Sequence, residues 1–209
     1  MHFFRIFHYY KQIYSMKQLI IYTHFSPFSF NCAIKDRIIQ QAQLMGHETI
    51  LRDLYFMNFK PSLDWIDMNA QKNNEVPIDI ATEQKYIAEA EVLIFVFPIW
   101  WNSMPAVLKG YIDRVFSNGF AYSINGEVKG LLNGKKVMIF NSLGGDTDED
   151  MQNAMRTTID KGIMEFCGMD VELHRFFPNV IDVDRQTRES YLDDIGREYR
   201  DIINKKASK

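Results

Sequence analysis

Residues 92–122, VLIFVFPIWWNSMPAVLKGYIDRVFSNGFAY, decide the fold of this chain. Residues 92–97 are all apolar, and the lack of polar alternation is typical of a central parallel strand covered by helices on both faces. Pro98 ends this strand, and apolar residues recur at steps of three and four after Pro105, which predicts an amphipathic helix. In an open α/β sheet, ligands bind beyond the carboxyl ends of the strands. The loop 98–104 is therefore a candidate binding segment.

Short apolar runs and helical periods alternate along the rest of the chain. Residues 55–80 show no clean period, which predicts an excursion with at most a short helix near 63–68. The other predicted strands are 19–22, 48–54, 135–140 and 171–177, and the other predicted helices are 31–45, 83–90, 151–166 and 185–205. This alternation predicts an α/β fold with a doubly wound, flavodoxin-like, five-stranded parallel sheet in the order 2-1-3-4-5, with helices on both faces.

The chain length favours one domain. With 209 residues, of which 46% are hydrophobic, the chain suffices for one sizeable core and is short for two. Met16 directly precedes KQLIIYTH (17–24), which reads as an opening strand. We therefore expect a single domain over 16–209, with residues 1–15 as an N-terminal extension outside the fold. Three interpretations of the extension are open: an upstream translation start, a disordered tail or an interaction arm. The sequence does not distinguish among them.

Charge and cysteine content exclude several classes of partner. A net charge of -3 gives no electrostatic basis for nucleic-acid binding. The two cysteines, Cys32 and Cys167, are far apart in the sequence, so we expect a reducing, cytoplasmic compartment. No apolar run is long enough to predict a membrane span. The histidines lack the spacing of metal ligands, so no metal site is predicted.

Three loops, which follow the first, third and fourth predicted strands, converge on one edge of the sheet. The first, THFSPFSFN (23–31), precedes a helix N-terminus, where free N–H groups and the helix dipole favour a phosphate; the alternative is ordinary N-capping by Ser29 or Asn31. The adjacent tryptophans 100 and 101 form either an aromatic platform or a structural plug. In the loop 142–145, the two glycines either provide backbone N–H donors that a ligand can approach closely or only form a turn. Together the loops predict a site for a planar, phosphorylated cofactor.

Several long stretches in the same order carry a family resemblance. They are YTHFSPFSFN (22–31), RDLYFMNFKP (52–61), DIATEQ (79–84), residues 90–122, LGG (143–145) and FCGMDV (166–171). With these stretches the chain resembles the flavodoxin-like NAD(P)H:quinone oxidoreductases, the DT-diaphorase-like group and its shorter bacterial members. The resemblance implies two-electron reduction of quinones or similar aromatic acceptors, by ping-pong hydride transfer from NAD(P)H through flavin N5.

The resemblance also implies site residues. The cofactor-binding set is His24, Ser29, Phe30, Asn31, Pro98, Ile99, Trp100, Trp101, Asn102, Leu143, Gly144 and Gly145. Trp101 would pack against the flavin ring or the acceptor, and a backbone N–H of Gly144 or Gly145 would stabilise charge developing on the flavin, which gives these three residues a catalytic role. The cofactor is FAD or FMN, with the stretches SFN and DLYFMNFKP leaning toward FAD.

One departure and two further expectations accompany the resemblance. Larger family members carry a tyrosine and a histidine shortly after the Gly-Gly loop, whereas residues 146–160 contain neither. The acids in that segment are read as a solvated helix cap or as repulsion of a nicotinamide 2'-phosphate, which would favour NADH. The family implies a homodimer with the site at the subunit boundary. A different reading of the same resemblance is a flavin-binding ancillary subunit of a potassium-efflux system.

Overall fold

The computed structural model describes residues 15–207 and centres on a five-stranded parallel sheet. The strands of the chain are β1 (Lys17–Tyr22), β2 (Glu48–Asp53), β3 (Val92–Pro98), β4 (Tyr122–Ser123), β5 (Lys129–Gly130), β6 (Lys136–Ser142) and β7 (Asp170–Phe177). The main sheet has the order β2-β1-β3-β6-β7, and each neighbouring pair in it is parallel. Because β4 and β5 form a separate antiparallel hairpin, the main sheet has the predicted 2-1-3-4-5 order. The predicted fold class is confirmed.

Helices cover both faces of this sheet. They are α1 (Phe30–Leu44), α2 (Trp65–Lys72), α3 (Ile78–Glu89), α4 (Ala106–Val115), α5 (Glu149–Arg156) and α6 (Arg185–Ala207), and α5 continues as a π-helical segment, Thr157–Glu165. Helices α1 and α6 pack on one face, and α3, α4 and the π-helical segment pack on the other. All seven residues of β3 are buried between these layers, as its uninterrupted apolar run predicts.

The sheet order places a crevice between β1 and β3. The chain leaves β1 toward β2 on one side, and it later returns to add β3 on the other side. Helix α1 after β1 and helix α4 after β3 therefore lie on opposite faces. The loops that lead into them diverge at the carboxyl edge, which is where α/β folds of this kind bind ligands.

The excursion between β2 and β3 is more helical than the sequence predicts. Helix α2 ends at Lys72 and α3 begins at Ile78, five residues before the predicted start at 83. Helix α2 has no buried residue, so it lacks the apolar stripe that periodicity detects. The buried guanidinium of Arg114 fixes the excursion to α4, since it donates to Asp67 at 2.9 and 2.8 Å and to Asp79 at 2.8 Å. Arg114 also holds the pKa of Asp67 below its usual value by donating these hydrogen bonds.

Two other predicted segments differ in type. The predicted α-helix 151–166 is α-helical only to Arg156 and then π-helical to Glu165, a change that hydrophobic spacing over so few turns does not resolve. The predicted polar turn after residue 122 contains the β4–β5 hairpin. The expectation of an extension over 1–15 lies, apart from Ser15, outside the described residues. Among residues 15–207, no helix combines the length and the apolar character that crossing a bilayer requires.

Candidate functional site

A pocket of about 900 Å³ lies at the carboxyl ends of β1, β3, β6 and β7. Its walls come from the loops after these four strands and from the first turns of α1 and α6. The lining residues are His24, Ser26, Phe28, Ser29, Phe30, Asn31, Ala33, Pro98, Ile99, Trp100, Trp101, Ser142, Gly144, Val180, Ile181, Arg185, Arg188, Glu189 and Leu192. The three loops singled out from the sequence thus do converge on one cavity.

The loop after β1 presents a neutral histidine to the pocket. Ser29 caps α1, because its Oγ accepts from Cys32 N at 3.1 Å, so the capping reading of this loop holds for Ser29. His24 Nδ1 accepts from the Ser26 backbone N–H at 3.0 Å. Burial lowers the pKa of His24 below its ordinary value, so the ring is neutral and its proton lies on Nε2. That N–H is a donor suited to a phosphate oxygen.

Asn31 joins the first loop to the strand β6. Its side chain is 1% exposed, and its Nδ2 donates to Ser142 Oγ at 2.6 Å. Its Oδ1 is buried without a hydrogen-bond partner in the described part of the chain. A buried acceptor of this kind is costly unless a ligand donates to it. A hydroxyl group, such as those on the ribityl chain of a flavin, would supply that donor.

The loop after β3 is a tight turn with Trp101 at its tip. Trp100 and Ser103 exchange two backbone hydrogen bonds, at 3.0 and 3.1 Å. Between them, Trp101 and Asn102 both have φ of 53°, which is the left-handed region that non-glycine residues rarely adopt. Two positive φ values at the central positions define a type I′ turn. The side chain of Trp101 is fully exposed at 101%, so backbone strain is retained at a residue that packs on nothing among residues 15–207.

The Gly-Gly loop is fastened to the loop after β7. Val180 N donates to Leu143 O and Asn179 N donates to Gly145 O, each at 3.0 Å. A Cβ built on Gly144 would lie 3.1 Å from Cδ1 of Ile181. The pocket wall therefore includes a fourth loop, 178–184, which the sequence analysis did not assign to the site.

Most of the predicted cofactor residues line the pocket, and a few do not. Asn102, Leu143 and Gly145 lie outside its wall. The loop after β7 and the start of α6 were missed, and they add two cations, Arg185 and Arg188. A sequence signal for them existed: both stand in the first turn of a helix, where the dipole disfavours positive charge, and such placement favours a role with an anion. Asp148 caps α5 by accepting from Met151 N at 2.8 Å, in line with the capping reading of the acidic segment.

Comparison with known proteins relates this fold and pocket to one family. A family model described as "Flavodoxin-like fold" matches residues 16–199. The chain is 35% identical over 184 residues to a Haemophilus influenzae protein named an uncharacterized NAD(P)H oxidoreductase, with 85% of this chain and 91% of that protein covered. It is 32% identical over 180 residues to human ribosyldihydronicotinamide dehydrogenase [quinone], covering 74% of this chain and 78% of the human protein.

A solved structure gives the same relationship. The NAD(P)H:quinone oxidoreductase from Methanothermobacter marburgensis superposes with a TM-score of 0.80 at 28% identity, covering 90% of this chain and 98% of that one. These similarities span both the sheet and the loops at its carboxyl edge. The chain therefore belongs to the flavodoxin-like family, in the branch whose named relatives are NAD(P)H oxidoreductases and quinone reductases.

Proposed function

We propose that this protein is a flavin-dependent NAD(P)H oxidoreductase that reduces quinones or similar aromatic acceptors by two electrons. The observation that carries the proposal is the pocket at the β1–β3 crevice, where the three predicted loops meet. The activities printed in the names of the relatives support the same reaction class. When bound, the flavin would accept hydride from NAD(P)H at N5 and pass it to the acceptor in a ping-pong cycle.

The residues of the pocket fit a flavin. His24 offers a neutral Nε2–H donor beside the N-terminus of α1, an arrangement suited to the phosphate. The buried Asn31 Oδ1, which has no hydrogen-bond partner among the described residues, suits a ribityl hydroxyl as its donor. Gly144 lines the pocket with no side chain, so a ring edge can approach its backbone closely. Trp101 stands exposed at the rim, where it can cover the ring or stack on the acceptor.

Among the flavins, we propose FAD. The pocket continues beyond the α1 N-terminus to Arg185 and Arg188 of α6. Arg185 is paired with Glu189 at 2.6 Å, so Arg188 is the cation that suits the second phosphate, which FAD carries and FMN lacks. Releasing the bound cofactor by heat and weighing it tests this choice. The variant Arg188→Gln should weaken FAD binding more than FMN binding. Release of FMN alone from the native protein, or an equal effect on both flavins, would exclude the FAD assignment.

We also propose a homodimer with the site at the subunit boundary. Phe56, Trp65 and Trp101 are highly exposed aromatic side chains, and exposed apolar surface of this extent favours an interface. Phe59 and Phe120, which also lie in loops, are not available to a partner to the same extent, because Phe59 is buried in the core and Phe120 packs partly against it. Sedimentation of the purified protein measures the assembly, and a monomer at micromolar concentration would contradict it.

The activity itself is tested with purified protein and added flavin. We expect NADH or NADPH oxidation that depends on a quinone, with parallel lines in double-reciprocal plots as a ping-pong cycle requires. Failure of the purified protein to bind any flavin after reconstitution would overturn the proposed function.

The unpaired cysteines, Cys32 and Cys167, favour a reducing compartment such as the cytoplasm.

A further inference from the structure

A buried chain of polar side chains lies on one face of β3 and β6, which are two of the strands that end at the proposed flavin site. Asp160 Oδ1, in the π-helical segment, is 2.7 Å from Nδ1 of His174 in β7. His174 Nε2 is 2.6 Å from Oδ1 of Asn141 in β6, and Asn141 Nδ2 donates to the Phe97 carbonyl of β3 at 3.1 Å. None of these four residues is more than 7% exposed. The chain thus joins one helix and three strands through hydrogen bonds shielded from water.

The direction of these hydrogen bonds fixes the protons. Because Asn141 Nδ2 donates to a carbonyl, Asn141 presents Oδ1 to the histidine, and His174 Nε2 must carry a proton. The opposite ring nitrogen faces a carboxyl oxygen at 2.7 Å, so a proton must lie between those two atoms as well. His174 is therefore hydrogen-bonded to Asp160 through one ring nitrogen while it donates to Asn141 through the other.

The chain acts where the β3–β6 ladder ends. Phe97 pairs with Asn141 and Pro98 pairs with Ser142 as the last two partners of the ladder, and Ile99 N donates to Ser142 O at 2.8 Å. Beyond these pairs, β3 enters the Trp101 turn and β6 enters the Gly-Gly loop. The Asn141 side chain therefore holds the common base of two loops of the pocket, from the sheet face opposite α1.

We propose that His174, held by Asp160, is a positioning residue for the flavin site, acting through Asn141 on the carboxyl ends of β3 and β6. This inference rests on the proposed function, because flavin retention is the property that the chain controls. His174 does not line the pocket, so it does not touch the reacting atoms. A buried chain of hydrogen bonds suits such a role because no member can move without leaving a buried polar group unsatisfied, which keeps a single arrangement.

The test compares flavin affinity in two variants of one position. His174→Phe keeps a ring beside Phe176, on which His174 stacks at 4.3 Å, but it removes both hydrogen-bonding ring nitrogens. We expect it to weaken the flavin Kd by about tenfold, equivalent to about 1.4 kcal/mol. In His174→Gln an amide N–H can still donate to Asn141, so this variant should stay within about threefold of the native Kd, about 0.7 kcal/mol. An unchanged Kd in a folded His174→Phe variant would overturn the proposal.

A matched control separates positioning from general destabilisation. Tyr199→Phe deletes another buried hydrogen bond, to Gln18 Oε1 at 2.8 Å, near the start of β1 at the opposite end of the sheet. It should lower the thermal midpoint without changing the flavin Kd, and an equal loss of affinity in this control would count against the role of His174. If His174→Phe does not fold, Asp160→Ala and Asp160→Asn replace the pair, with the same contrast expected.

A second measurement reads the hydrogen bond to Asn141 directly. In ¹⁵N NMR spectra of the native protein, Nε2 of His174 should have the shift of a protonated ring nitrogen, and an unprotonated Nε2 would overturn the donation to Asn141. The two proposals fail in different ways. A native protein that binds no flavin sinks the proposed function, whereas tight native binding that is indifferent to His174→Phe sinks only the positioning role.

Discussion

Replacing Gly144 by valine is expected to damage flavin binding far more than folding. Gly144 lacks a positive φ, so its backbone accepts a side chain. The new Cβ would lie 3.1 Å from Cδ1 of Ile181, and valine methyl groups would extend further toward it. Ile181 is 73% exposed and can turn away, so the free energy of unfolding should fall by less than about 1 kcal/mol.

The bound ligand has less room to adjust than Ile181 has. Overpacking a closely fitted contact costs about 1–3 kcal/mol, which corresponds to a flavin Kd about 5- to 150-fold weaker. Fluorescence titration of the apoprotein with flavin measures this change, and urea unfolding measures stability. The matched control is Gly145→Ala, since within the described chain a Cβ at Gly145 would meet nothing inside 4 Å. Equal affinities of the Gly144→Val and native proteins would refute the contact between this loop and the flavin.

The remaining predictions concern the Arg114 tether and the Trp101 turn. Arg114→Met should lower the free energy of unfolding by about 1–3 kcal/mol because it leaves the largely shielded Asp67 carboxylate, whose side chain is 9% exposed, without its donors, whereas Lys109→Met, which breaks an exposed pair, should cost less than about 1 kcal/mol; similar losses in urea would contradict this. The pKa of Asp67 is lowered in the folded state, so its stabilising effect is full above about pH 4 and is lost as the pH falls through that lowered pKa. The stability advantage of the native protein over Asp67→Asn should therefore shrink on acidification, and a constant gap would exclude the effect. Trp101→Gly relieves the left-handed backbone, so it should maintain or raise the thermal midpoint while lowering quinone-dependent NADH turnover; a fall in the midpoint would show that the indole stabilises the fold.

The order of the sheet was predictable because each buried strand contains a short apolar run and each long helix has apolar residues along one face. β3 is the clearest case, since a strand that touches helices on both faces leaves no polar position. Helix α2 was not fully predicted because it has no buried residue. The π-helical segment was not predicted because packing determines where the hydrogen-bonding period of a helix changes. These features depend on tertiary contacts that composition does not encode.

For the site, sequence predicted the loops better than the individual contacts. The three loops after β1, β3 and β6 were identifiable because parallel strands end at one edge. For α6 the sequence offered only two arginines in the first turn, and whether they reach the pocket depends on how the last helix packs against α1. Nor could the sequence show that the Asn31 amide N–H donates to Ser142. This hydrogen bond leaves Oδ1 of Asn31 as the atom available to a ligand, and that oxygen accepts a hydrogen bond where a donor to a phosphate would be needed.

In the turn at Trp101, the side chains that can contact a ligand are not needed to stabilise the fold. Its tip contacts no other part of the described chain closely enough to bury the indole, and the two backbone hydrogen bonds between Trp100 and Ser103 close it independently of the side chains at its centre. Residues 101 and 102 can therefore change with little effect on the core. With the role proposed for Trp101, substitutions at this position would change acceptor preference without compensating substitutions elsewhere, which makes the turn a practical target for altering substrate range by saturation mutagenesis.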